Sequence, residues 1–278
     1  MIVAKRGIVE KTAFLLLALF FLVLFGFPFI VTIIMAFKSM PDYMSGNYWG
    51  LPKQLFLGNI QKVLFSQFSI YFLNSVFVSG VSVALSIFIA SLASYAFARM
   101  KFRLSAFVFT LFIIGMMIPV HTTLIPIYQL TKAMRLTDNR LGLIIPYISI
   151  GLPVAIYIIT QFFKEVPGSI QESAHIDGAS SFRIYWSIML PISVPAVSTV
   201  AILNFLTYWN EFIYALTLIN TSSKRTVPLG IKAFYGVDAV NIPAVFATIL
   251  VASLPVIIFY MFAQEKVISG LSAGAVKG

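Results

Sequence analysis

The sequence predicts an all-α, polytopic membrane protein with six transmembrane helices, and three observations carry that prediction. Hydrophobic residues make up 60% of the 278 and charged residues only 10%, whereas an ordinary soluble domain carries about 25% charged residues. Mean hydropathy is +0.97. Several windows run past about 18 apolar residues without a charge, the length that crosses roughly 30 Å of hydrocarbon.

The first span, roughly 12–37, follows Lys5, Arg6 and Lys11. It is longer than the ~7–15 residue apolar core of a signal peptide, and no small-residue cleavage site precedes Lys38, so it reads as a retained helix. "KSMPDYMSGNYWGLPKQ" leads to the second span, 70–98. There Ser75, Ser79, Ser82 and Ser86, continued by Ala90 and Ala93, recur at helical spacing. Small residues let helix backbones approach in lipid, so this stripe reads as packing before substrate contact. "RMKFR" leads to the third span, 104–130, whose Pro119 and Pro126 each remove a backbone hydrogen bond and kink the helix. His121 reads as a residue near the end of that span rather than a ligand.

"KAMRLTDNR" separates the third span from the fourth, 141–163. A polar segment, 164–190, precedes the fifth, 189–219. There "NFLTYWNEF" puts Asn204, Thr207, Tyr208 and Glu211 at i, i+3, i+4 and i+7, on one helix face. Ionisable residues are costly in a membrane helix and usually face a bundle interior or a watery cavity. Lining of a substrate pathway and interhelical hydrogen bonding both account for this face. "NTSSKRTVPLGIKAFYGVDAVN" leads to the sixth span, 243–264, which carries Pro255.

An even number of spans puts both termini on one side. With the N-terminus inside, ten Lys and Arg fall in cytoplasmic segments and nine outside, out of 19. That total decides little, because the positive-inside rule concerns short loops near span ends. "RMKFR" and the N-terminal cluster favour the N-terminus inside. The chain reads as one transmembrane domain over 1–278, with no internal repeat, low-complexity tract or soluble domain.

The net charge of +10 does not point to nucleic acid. A nucleic-acid surface needs clustered Lys and Arg, and here they sit singly at span ends. The sequence has no cysteine, hence no disulfide or thiolate metal site. No G-x-x-x-x-G-K-[ST] is present to cradle nucleotide phosphates. "GAVKG" at the C-terminus lacks the Ser or Thr after its lysine. With no H-E-x-x-H, nucleophile elbow or metal cluster either, the chain reads as a non-enzyme that draws its energy from elsewhere.

One segment stands apart, "ESAHIDGASSFRIYWSIMLP" from Glu172 to Pro191. Pro167 and Gly168 break the preceding helix. Ser169 reads as an N-cap, and Glu172 three residues on completes a capping box. A short helix over 170–176 follows, with Gly178 supplying the turn at its end. "SSFRIYWSIML" then begins a second helical stretch running into Pro191. Physically this is a small helical knob outside the membrane, or else an amphipathic interfacial helix.

The segment resembles the coupling loop of binding-protein-dependent ABC importer permeases, whose pattern is E-A-A, three residues, G, nine residues, I-x-L-P. Here Glu172-Ser173-Ala174 is followed by His175-Ile176-Asp177, then Gly178, nine residues, and Ile188-Met189-Leu190-Pro191. Ser173 replaces the second alanine, a small-for-small departure. "HIDGAS", "YWNEF", "TVPLGIKAFYG", "MMIPVHTTLIPIYQL" and "GLSAGAVKG" are similar to the carbohydrate-uptake class, in particular the type of the second maltose-transporter permease.

The resemblance implies six helices in a bacterial or archaeal cytoplasmic membrane, with both termini cytoplasmic. It implies ATPase coupling through Glu172, Ser173, Ala174, Asp177, Gly178 and Ala179. The implied partners are a homologous second permease, two ATP-binding subunits, an extracytoplasmic sugar-binding protein and membrane lipid. No cofactor is expected in this chain, since ATP and Mg would be held by the partner ATPase. The competing reading is an ion-coupled secondary transporter of a small polar solute. That class often shows inverted repeats and midplane carboxylates, and here there is no repeat and Glu211 is the one plausible span carboxylate. A structural scaffold would leave the coupling motif without a role.

Overall fold

The computed structural model describes residues 8–234 and 241–275, and all regular structure among them is helical. The elements begin with α1 (Ile8–Ala36), α2 (Met40–Met44), α3 (Gly58–Leu64) and α4 (Phe68–Arg99). Next come α5 (Ser105–Met116), a 3₁₀ turn (Val120–Thr123), α6 (Leu124–Ala133), α7 (Leu141–Glu165) and α8 (Gly168–Ile176). Then follow α9 (Ser181–Ile184), a π-helical turn (Tyr185–Met189), α10 (Leu190–Ile192) and α11 (Val194–Trp209). The chain continues through α12 (Ile213–Leu218), a 3₁₀ turn (Ser222–Lys224), α13 (Val227–Phe234) and α14 (Ile242–Ala275). Lys5, Arg6, the Tyr235 and Gly236 that close "TVPLGIKAFYG", and the last three residues of "GAVKG" lie outside the described residues.

Among the described residues, four helices are long and apolar enough to cross a membrane: Glu10–Ala36, Phe68–Arg99, Leu141–Glu165 and Ile242–Met261. Two further helix pairs among the described residues are long and apolar enough only when taken together, and each is sharply bent at a short break. Ser105–Met116 meets Val120–Ala133 at 99°, and Ser181–Ile192 meets Val194–Trp209 at 75°. The expectation of one kinked helix over 104–130 is therefore corrected to two segments. The cause is Pro119, which takes an extended ψ of 124° and has no N–H with which to continue the helix. The fifth span is likewise not one helix over 189–219. Pro195 lies in the first turn of α11, and the helix ends at Trp209, before α12 starts afresh.

The chain divides into two compact units, Met1–Ser69 with Ile231–Leu254, and Ile70–Gly230 with Pro255–Gly278. In the first, α1 buries almost none of its apolar side chains on the chain itself. Its C-terminal turn is held by the Asn59 side-chain amide, which donates to the carbonyls of Ala36 (3.0 Å) and Lys38 (2.8 Å).

In the second unit α7 packs against both α5 and α11. One apolar cluster gathers Ala155, Ile156, Ile159 and Phe163 of α7 with Ile184, Tyr185 and Met189. The other gathers Leu143, Ile144 and Tyr147 with Tyr208, Tyr214 and Leu218. Along α4 the serines at 75, 79, 82 and 86 and Ala90 are all buried.

α4 is also studded with polar contacts from end to end. Asn74 donates to the carbonyls of Ser223 and Arg225 (2.9 Å each), and the Ser75 hydroxyl accepts from the Val227 amide (2.8 Å). Lower down, the Ser91 and Tyr185 hydroxyls meet at 2.8 Å, and Ser94 donates to the Ile156 carbonyl at 3.1 Å.

Candidate functional site

The knob forms where Pro167 stops α7. Pro167 sits at ψ 134° and α8 begins at Gly168, two residues before the expected start at 170. No side chain caps its N-terminus, so the Ser169–Glu172 capping box is not made and Glu172 is left exposed. Starting the helix at Gly168 places Ser169 inside the first turn, where it has no free N–H two or three residues ahead to cap.

The C-terminus is closed as a complete Schellman motif. The Gly178 amide donates to the His175 carbonyl (3.0 Å) and the Ala179 amide to the Ala174 carbonyl (2.9 Å). Gly178 has φ +78°, the left-handed region that favours glycine. Ala174 is buried, and Ala179 packs against the same apolar cluster, the hydrophobic contact that accompanies this cap. Asp177 and Ser173 point outward with Glu172. Ile176 is 86% exposed and Phe182 69%, so the knob carries an apolar tip as well as polar groups.

The knob is tethered at its root. The Arg99 guanidinium, at the last residue of α4, donates to the carbonyls of Phe163 and Val166. These are orphan acceptors at the end of α7, where a cation also complements the helix dipole. Ser180 caps α9, accepting from the Arg183 amide at 3.3 Å. In the sequence Arg99 is one orientation charge of "RMKFR", because its role here depends on α7 ending beside it.

The second region lies along α11. Asn204 is buried and donates to the Ser86 hydroxyl at 2.8 Å. Tyr208 is buried with its ring stacked on Tyr147, centroids 5.5 Å apart. Thr207 is exposed, its hydroxyl donating to the Leu203 carbonyl (2.8 Å).

Glu211 does not share their helix. α11 has ended, and the Glu211 carboxylate accepts from the Tyr147 hydroxyl (2.8 Å) and from the amides of Tyr214 (2.7 Å) and Ala215 (3.1 Å). It satisfies the first-turn donors of α12 instead. The expected four-residue face is thus three residues of α11 plus a capping carboxylate.

Asn204 and Thr207 line a cavity of about 490 Å³ walled by α5, α7, α11 and the broken third span. Its other polar lining residues are Thr123 and Ser149, and Gly151 opens its floor. A Cβ at Gly151 would collide with the Tyr208 hydroxyl and come within 2.8 Å of the Asn204 amide. None of the lining residues is ionisable. The wall is mostly apolar, with three hydroxyls and one amide set into it and no charge, which suits an uncharged solute with both apolar and hydroxyl faces. Ser149 and Gly151 carried no sequence signal beyond two small residues in an apolar helix. Above the cavity, the Tyr214 hydroxyl meets the Thr123 hydroxyl (2.5 Å) and donates to the Val120 carbonyl (3.0 Å), joining the two helix breaks.

The family model described as "Binding-protein-dependent transport system inner membrane component" matches residues 82–272. A putative ABC transporter permease from Caldicellulosiruptor sp. is 44% identical over 269 residues, covering 97% of this chain and 98% of that one. A probable starch degradation products transport system permease from Thermoanaerobacterium thermosulfurigenes is 32% identical, covering 90% and 91%. Among solved structures, a chain of a bacterial ABC transporter involved in alginate import superposes with a TM-score of 0.84 at 21% identity. That match covers 95% of this chain and 99% of the other.

Proposed function

Since the chain belongs to the family of binding-protein-dependent transport system inner membrane components, we propose that it is the permease subunit of an ATP-driven importer for a sugar or oligosaccharide. The observation that carries this reading is α8, an exposed helix closed by a complete C-terminal cap and tethered by Arg99, with an apolar tip at Ile176. A helix built this way can transmit a push without fraying.

In this reading Glu172, Ser173 and Asp177 face a cytoplasmic ATPase, while Ala174, Gly178 and Ala179 hold the shape that is presented. ATP and Mg bind in that partner, because this sequence has no phosphate-cradling loop. A second permease completes the pathway and an extracytoplasmic binding protein delivers the solute. Both termini then lie in the cytoplasm of a bacterial or archaeal cell.

The substrate class rests on two supports. The Thermoanaerobacterium relative is named for starch degradation products. The cavity beside Asn204 and Thr207 has a mostly apolar wall that carries the hydroxyls of Thr123, Ser149 and Thr207 and the Asn204 amide, with no charged side chain. Asn204 and Thr207 would meet sugar hydroxyls, while the buried Tyr147–Tyr208 stack backs the helix behind them and Glu211 braces that stack through Tyr147. Glu211 already accepts three hydrogen bonds, which makes it a poor proton or sodium carrier.

The test is uptake of a labelled oligosaccharide into proteoliposomes holding the whole complex. Import that requires internal ATP and external binding protein is expected. Import driven by an imposed proton or sodium gradient without ATP would overturn the reading.

A further inference from the structure

The segment 40–57, between α1 and α3, exposes far more apolar surface than a water-facing connection tolerates. Met44 is 69% exposed, Trp49 71%, Leu51 75% and Leu55 69%. Its two charges are Asp42, which is buried, and Lys53. Four large apolar side chains this exposed within one short segment mark an interaction surface.

The backbone beneath these side chains is fixed. Lys38, fully buried, donates to the carbonyl of Asn47 and to that of Gly50 (2.8 Å). The Asn47 side chain accepts from the Gly50 amide (3.0 Å) and donates to the Leu51 carbonyl (3.2 Å). The Phe56 amide donates to the Phe37 carbonyl (2.9 Å), and the Lys53 amide to Asp42 (3.0 Å). The carbonyls of Asn47, Gly50 and Leu51 and the amides of Gly50, Lys53 and Phe56 thus find partners within the chain, as backbone groups beside hydrocarbon must, while one oxygen of the Asp42 carboxylate does not.

One contact sets the depth. The Trp49 ring stacks on Phe27 of α1, centroids 5.8 Å apart. Phe27 precedes the end of α1 at Ala36, and at 1.5 Å per residue it lies roughly 13 Å back along the helix. α1 is a membrane-crossing helix whose side chains are almost wholly exposed on this chain. The segment thus folds back beside the span instead of projecting beyond it.

We infer that residues 40–57 form a bilayer anchor, with Met44, Trp49, Leu51 and Leu55 seated in lipid at the membrane interface and Lys53 at its aqueous edge. Tryptophan is enriched at that level because its apolar body and N–H suit the headgroup boundary. The partner is the phospholipid bilayer itself. A neighbouring subunit or open water are the rival occupants.

The chain has no cysteine, so Leu51→Cys can carry a nitroxide in the complete complex, with any partner cysteines replaced, in phospholipid nanodiscs. Leu51 is exposed, so the label displaces no buried contact. Lys53→Cys serves as the aqueous reference. Relaxation by oxygen, which partitions into lipid, should exceed relaxation by a water-soluble nickel chelate at 51, with the order reversed at 53. Stronger relaxation by nickel at 51 would place the segment in water and overturn the inference. Protection from both reagents would mean a protein subunit covers it, which also overturns the inference.

Discussion

Arg99 donates to the carbonyl of Val166, the residue directly before the Pro167 that launches α8. A single guanidinium therefore joins the end of α4 to the root of the knob. The rest of α4 reaches upward through Ser91 and Ser94 to Ser86, whose hydroxyl meets Asn204 at the cavity wall. Cavity and knob share this one helix.

If Arg99 transmits position, Arg99→Ala should leave the complex assembled and basal hydrolysis present while lowering the stimulation by liganded binding protein. Hydrogen bonds to a charged group contribute about 1.5–3 kcal/mol each, so the loss should be large. Arg99→Lys restores the charge without the two-carbonyl fork and should recover part of it. The measurement is hydrolysis with and without liganded binding protein, beside transport per ATP. An unchanged ratio in Arg99→Ala would make the contact merely structural.

Much of this was readable in advance where the physics is local. Hydropathy marked the spans because lipid forbids charge over such lengths. Gly178 was readable because a helix stop needing a left-handed residue selects glycine. What escaped depended on neighbours. The spacing of Asn204, Thr207, Tyr208 and Glu211 assumed one continuous helix, yet α11 stops at Trp209 and Glu211 turns to cap α12. Ser169 lost its capping role because Pro167 let the helix start two residues sooner. Gly151 has meaning only once Tyr208 is known to lie over it.

The cap at Gly178 separates backbone strain from steric contact. A Cβ there meets nothing within 4 Å, so within this chain only the φ of +78° resists substitution. Gly178→Ala should then weaken the end of α8 by roughly 1–2 kcal/mol and lower ATPase co-purification modestly. Gly178→Trp adds bulk in the open space where the ATPase is proposed to sit, and should strip the ATPase from the purified complex. Equal behaviour of the two variants in a pull-down would mean that nothing docks at that face.

At the cavity, Gly151→Ala should force both Tyr208 and Asn204 to move, because its Cβ falls on the Tyr208 hydroxyl. Overpacking of this kind costs about 1–3 kcal/mol, and displacing Asn204 also breaks its bond to Ser86. Thr207→Ala removes an exposed hydroxyl and no interhelical contact. If the wall meets substrate, Thr207→Ala raises KM for uptake with thermal stability unchanged, whereas Gly151→Ala lowers both uptake and stability. Uptake kinetics untouched by Thr207→Ala would return this face to helix packing.

The loop before α7 supplies a pH prediction. Asp138, at φ +55°, accepts from the Thr221 hydroxyl (2.6 Å) and amide (2.9 Å), from Lys224 (3.0 Å) and from the Asn220 amide (3.0 Å). The Thr221 hydroxyl leads in holding the carboxyl well below its ordinary range, followed by the Thr221 amide and Lys224, against a smaller opposing effect of desolvation. All these bonds favour the ionised form. A carboxyl whose folded pKa lies below the unfolded value of about 3.9 stabilises the fold above that value. The contribution fades only as pH falls through the still lower folded pKa. The clasp between 138 and 220–224 should therefore be indifferent to pH from about 5 to 8, and open only in stronger acid. Part of the Asp138 side chain is exposed, so screening by salt trims the effect. Asp138→Asn keeps the shape but gives up the charge, and turns one acceptor oxygen into a donor facing Thr221 or Lys224. Protection factors for hydrogen exchange at the Asn220 and Thr221 amides should be high and flat across that neutral range in the native chain, and lower at every pH in Asp138→Asn. Protection that falls between pH 5 and 8 in the native chain would show that some group other than Asp138 holds the loop.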